Sequence, residues 1–65
     1  MTEAEFLEIY REHAALVFRF CAFRTGSAQD AEDLCAEAFA RLLEKGGDVD
    51  PAKRVAWLHA VARNL

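Results

Sequence analysis

Asp30-Ala31-Glu32-Asp33-Leu34-Cys35-Ala36-Glu37-Ala38-Phe39-Ala40-Arg41-Leu42-Leu43 is the stretch on which the fold turns. Ala31, Leu34, Cys35, Ala38, Phe39 and Leu42 recur at intervals of three and four, the period of an amphipathic helix. Asp33 and Glu37 stand four apart and so share one face, with Ala36 and Ala40 beside them keeping that face low and open. Ser27 is placed to cap this helix. Asp30, Glu32 and Asp33 lie near its positive end, and Arg41 and Lys45 near its negative end, as the helix dipole prefers. Lys45-Gly46-Gly47 stops it.

Working outward, each flank supplies one more helix. Upstream, Thr2-Glu3-Ala4-Glu5 fits a capping box, in which the Thr2 hydroxyl and Glu5 carboxylate close the free amides of the first turn. Phe6, Ile9, Tyr10, His13, Leu16, Val17 and Phe20 then form an apolar stripe at helical spacing. The sequence does not decide whether this segment bends near His13-Ala14. It ends at Thr25-Gly26, where glycine can take the left-handed C-cap conformation. Downstream, Asp50-Pro51 announces the third helix, with aspartate at the N-cap and proline in the first position. Val55, Leu58, Val61, Ala62 and Leu65 are its core candidates. No stop signal follows, so this helix reads as cut rather than finished.

The expected fold is therefore all-α: a small bundle of three main helices in a single domain, residues 1–65. Three glycines and one proline are too few for a turn-rich all-β chain, and 54% hydrophobic with 29% charged residues is globular rather than disordered. A chain this short buries only about 60% of its unfolded surface, which leaves thin stability and no room for a cleft between two lobes. Met1-Thr2-Glu3-Ala4-Glu5 lacks the basic-then-apolar pattern of a signal peptide. No apolar run approaches the roughly 20 residues of a membrane span. The reading is cytoplasmic, with Cys21 and Cys35 reduced and serving as small apolar packing residues.

Net charge is −3, unevenly spread. Residues 1–50 carry five cations against all eleven acids, a local charge of −6. Residues 51–65 carry Lys53, Arg54 and Arg63 and no acid. One end can attract nucleic acid while the rest repels it. The plainer alternative is that these three are ordinary solubilising charges.

Three pieces in order carry a family resemblance. Asp30-Ala31-Glu32-Asp33-Leu34 with Glu37, Phe39, Arg41 and Leu42 resembles the second helix of the extracytoplasmic-function sigma factors. Ala56-Trp57-Leu58-His59-Ala60-Val61-Ala62-Arg63-Asn64-Leu65 is similar to a further family stretch, and Phe6, Ile9, Tyr10, Arg11 and His13 match the opening helix. The resemblance implies a region 2 domain. In it, Asp33, Glu37 and, more weakly, Leu43 bind the clamp coiled coil of the largest subunit of core RNA polymerase. Ala36 stands there where the family usually has glutamine. Losing such a polar contact typically costs about 1 kcal/mol, so the expected affinity is differently tuned.

The resemblance also places the Gly46–Asp50 loop and the third helix at promoter DNA, mainly its non-template single strand. Lys53, Arg54 and Arg63 would supply cations, and Asn64 would read a base edge. Trp57 either faces DNA or anchors the core. Asp48 and Asp50 suit phosphate poorly, and the loop has no aromatic residue for stacking. An anti-sigma factor is the family-typical further partner.

Other chemistry has little footing. Cys21, Cys35, His13 and His59 lack metal-ligand spacing, so neither metal nor cofactor is expected. Gly46-Gly47 follows a helix, whereas phosphate-cradling loops precede one. The chain reads as a binding module and not an enzyme. The competing reading is a helical bundle that binds only another protein. Convergence of Lys53, Arg54, Arg63 and Asn64 on one exposed face would favour DNA; scatter would favour the interaction bundle.

Overall fold

The computed structural model describes residues 1–65 as α1 (Glu3–Thr25), α2 (Ala28–Lys45) and α3 (Arg54–Asn64). Two 3-10 turns, Gly46–Asp48 and Pro51–Lys53, connect α2 to α3. The local signals act where the sequence puts them. Glu5 N donates to Thr2 Oγ1 at 3.1 Å and Thr2 N donates to Glu5 Oε1 at 2.9 Å, a closed capping box. α1 runs unbroken through His13-Ala14. Gly26, at φ 69°, is the one residue with positive φ, and it turns the chain into α2. Ser27 Oγ accepts from Asp30 N at 3.3 Å, and Asp50 Oδ1 from Ala52 N at 3.0 Å.

Two long-range ties orient the bundle. Arg54 at the start of α3 meets Glu5 at the start of α1, with Nη1 to Oε2 at 3.1 Å. Arg24 at the end of α1 meets the end of α3: its Nη1 donates to Ala62 O at 2.9 Å and Arg63 O at 2.6 Å. So α3 runs parallel to α1, while α1 and α2 form an antiparallel hairpin.

Eight apolar residues are buried: Val17 and Cys21 from α1, Ala31, Ala38, Phe39 and Leu42 from α2, Leu58 and Ala62 from α3. The α2 and α3 stripes fall as their spacing predicts. The α1 stripe is rotated. Leu16 is 53% exposed and Phe20 38%, while Ala14, Phe18, Cys21 and Ala22 take the core side. The reason is local: from Ala14 to Phe23 only Arg19 is charged, so α1 is apolar nearly all round and its periodicity cannot select a face. The connection also differs from an open loop. α3 proper begins at Arg54, after the Pro51–Lys53 turn, rather than at Asp50-Pro51.

Both cysteines are free thiols. Cys21 is buried and Cys35 lies across the α1–α2 contact, its Sγ 3.9 Å from Ala14 O. Desolvation raises both thiol pKa values, which suits inert packing. No group of three His, Cys, Asp or Glu side chains is arranged to hold a metal ion. No helix is long and apolar enough to cross a membrane.

Candidate functional site

The outer face of α2 is the first candidate surface. Ala38, Phe39 and Leu42 hold the opposite face in the core, so the register of the helix forces Asp33, Ala36, Glu37, Ala40 and Leu43 outward. All five are exposed, and Leu43 is 63% so. At spacings of three and four they form one continuous ridge, acidic at Asp33 and Glu37 and apolar at Leu43. Arg41 Nε donates to Glu37 Oε1 at 3.2 Å, an exposed pair one turn apart. Sequence reasoning placed Arg41 on α2 but missed its pairing with Glu37, for which the four-residue spacing was the signal.

A groove of about 370 Å³ runs along the α1 side of this ridge. Tyr10, Ala14, Phe18, Cys35, Ala36 and Phe39 form much of its wall, with Glu32 its one charged member. Phe39 anchors it, edge-on to Phe6 and Tyr10 with ring centroids 6.2 and 4.9 Å away. It exists because small alanines on both helices face one another. Ala36 belongs to both the ridge and the groove wall. The sequence alone gave no sign of the groove, since Ala14 and Ala15 lie outside the stripe it predicts.

A family model described as Sigma-70 region 2 matches residues 9–65. This chain belongs to the Sigma-70 region 2 family. Its relatives are extracytoplasmic-function RNA polymerase sigma factors. SigE of Mycolicibacterium smegmatis is 36% identical over 58 residues, covering 89% of this chain and 23% of that protein. SigL of Mycobacterium tuberculosis is 39% identical over 61 residues, covering 88% and 33%. BldN of Streptomyces coelicolor is 37% identical over 62 residues, covering 92% and 24%. The chain thus spans about a quarter to a third of the length of these relatives. No solved structure matches it significantly.

On the α3 side of this region 2 domain, the expected DNA-contacting residues separate. Lys53 is exposed on the second 3-10 turn. Arg54, expected as a free cation, is only 6% exposed, with its guanidinium held by Gly46 O (Nε, 2.8 Å) and Glu5. Burial and these two partners commit Nε and Nη1 to the interior of the protein. Arg63 and Asn64 are exposed at the far end of α3, about 14 Å from Arg54 along the axis at 1.5 Å per residue. Trp57 is half-buried against the core and shares a groove with Glu37, Arg41, Glu44, Lys45 and Val61 between α2 and α3. Lys53, Arg54, Arg63 and Asn64 therefore do not converge on one face.

A histidine pair joins α1 to α3. The His13 and His59 rings meet edge to face with centroids 5.8 Å apart, and His13 Nδ1 is buried without a hydrogen-bond partner. Burial, then the neighbouring His13 and Arg63, lower the His59 pKa. Glu12 lies 3.7 Å from His13 Nε2.

Proposed function

We propose that this chain acts in bacterial transcription initiation as the core-polymerase-docking part of an extracytoplasmic-function sigma factor. The observation that carries this reading is the exposed ridge of Asp33, Ala36, Glu37 and Leu43 on a region 2 helix. An acidic ridge with an apolar end suits a helix pair bearing arginines, the chemistry expected of the clamp coiled coil. The ion pair of Glu37 with Arg41 is no obstacle, because exposed pairs of this kind are worth only about 0.3–0.5 kcal/mol and exchange readily for a better partner.

The same module is proposed to contact the minus-ten element of promoter DNA through Lys53, Trp57, Arg63 and Asn64 and the Gly46–Asp50 connection. It does no covalent chemistry; opening of the duplex is driven by free energy of binding to the unpaired strand. The dispersed cations and the buried Arg54 favour a second reading, a sigma-like bundle that works only by protein–protein contact, for example with an anti-sigma factor.

Two measurements separate these readings. Binding of the chain to core polymerase is expected to disappear in Asp33→Arg while helicity is retained; normal capture of that variant by core removes the first reading. Weak, salt-sensitive binding to a single strand of minus-ten sequence is expected. Equal affinity for any strand, or none at low salt, removes the DNA half and leaves the interaction bundle.

A further inference from the structure

The connection between α2 and α3 is tied to the first turn of α1. Arg54 reaches back across it, Nε to Gly46 O at 2.8 Å and Nη1 to Glu5 Oε2 at 3.1 Å. Gly46 O also accepts from Val49 N at 3.1 Å, the bond that closes the first 3-10 turn. The other Glu5 oxygen accepts from Thr2 N at 2.9 Å. The chain start packs beneath: a Cβ on Gly46 would lie 2.9 Å from Leu42 Cδ1 and 3.1 Å from Met1 Cε. One on Gly47 would lie 3.3 Å from Met1 N. One guanidinium thus joins both ends of the connection to the α1 cap.

We infer that Arg54 is a positioning residue: it holds the Gly46–Lys53 connection in the shape that presents Lys53 and the Asp48–Asp50 backbone to the unpaired promoter strand. The inference rests on the promoter half of the proposed function. Its physical basis is the planar guanidinium, which serves a carbonyl and a carboxylate at once in fixed directions, as an ammonium cannot. Without it, Gly46 O loses its second partner and Glu5 loses its ion pair, and no other side-chain hydrogen bond links the connection to the α1 cap.

An arginine that touches phosphate and an arginine that positions a loop predict opposite results at Glu5. Glu5→Gln removes a negative charge from the DNA-facing end, which on electrostatics alone tightens binding to an anion. It also breaks the tie to Arg54 while keeping an oxygen for the Thr2 amide. The test measures the 65-residue chain, Glu5→Gln and Arg54→Lys by fluorescence anisotropy on a labelled single strand of minus-ten sequence across a salt series. Amide exchange at Val49 and Lys53 is read in parallel.

Both variants are expected to bind about tenfold more weakly, a factor of ten being 1.4 kcal/mol. The salt slope falls by no more than the one Lys53 contact, about 1, and both amides exchange faster. Tighter or unchanged binding by Glu5→Gln overturns the inference, as does wild-type amide protection in both variants. Glu5→Gln keeps the question answerable if Arg54→Lys unfolds. A wild-type chain that does not prefer the minus-ten strand over a scrambled one sinks the promoter reading. The exchange rates then still decide whether Arg54 holds the connection.

Discussion

The outer face of α2 and the α3 side of the domain began as equal candidates, and tertiary structure treated them differently. On α2, every residue expected at the surface is there: Asp33, Ala36, Glu37 and Leu43 are all exposed. Around α3, the expected set is broken up, with Arg54 buried, Trp57 half-buried, and Arg63 and Asn64 a helix length from Lys53. The difference is one of geometry. The ridge lies within a single helix whose opposite face is strongly apolar, so register alone aims it. The cations straddle two 3-10 turns and a helix, and where each one points depends on what the rest of the chain leaves free.

The comparison breaks most decisively on the ridge. Asp33→Arg is expected to weaken core polymerase binding about a hundredfold or more, since a like charge set against a cationic partner costs several kcal/mol. Thermal unfolding of the variant should match wild type, because Asp33 is exposed and makes no hydrogen bond through its side chain. An unchanged affinity, measured by anisotropy with core enzyme, makes the ridge ordinary solvated surface.

The connection is expected to respond in the opposite manner, through stability. Gly46→Ala places a Cβ 2.9 Å from Leu42 Cδ1, against a side chain that is itself fully buried. Overpacking of this kind costs about 1–3 kcal/mol, readable as a lower denaturant midpoint. If Gly46→Ala melts like wild type, the knot beneath the connection is looser than its distances state.

A smaller effect belongs to the histidine pair. His59 has a pKa below the ordinary 6.5, so the unfolded chain takes up its proton at higher pH than the folded one. The stability associated with neutral His59 is present above pH 6.5 and is lost as pH falls from there toward the lowered folded value. His59→Phe is expected to flatten that part of a stability–pH profile measured by chemical denaturation. A profile as steep as wild type assigns the slope to another group.

The smallest expected effect sharpens the contrast from the other side. Arg41→Ala removes the exposed partner of Glu37 and should change stability by no more than about 0.5 kcal/mol. It should leave polymerase binding intact or slightly tighter, as Glu37 is freed. A loss of binding in that variant would move part of the docking surface from the carboxylates to Arg41.

Much of the fold was legible because its signals are short-range. The Thr2/Glu5 box, Gly26, Ser27 and Asp50 act through hydrogen bonds within three residues and are all realised. The α2 and α3 core faces followed from period alone. The α1 face did not, because Leu16 and Phe20 compete with Phe18 and Cys21 on a helix that is apolar nearly all round. At the site, the ridge was legible and Arg54 was not. Nothing within a few residues of Arg54 announces that its partners are Gly46 and Glu5, the latter 49 positions away.

By itself, then, the sequence determined the three helices, their caps and the acidic ridge, since each depends on spacings within one helix or turn, and it determined the family through the order of three such stretches. Only tertiary structure decided which side of α1 meets the core, that α3 runs parallel to α1, and that Arg54 is an internal tie rather than a free cation. Those outcomes depend on groups brought together from the two ends of the chain, where burial and pairing free energies, not local propensity, choose among placements the sequence leaves equal.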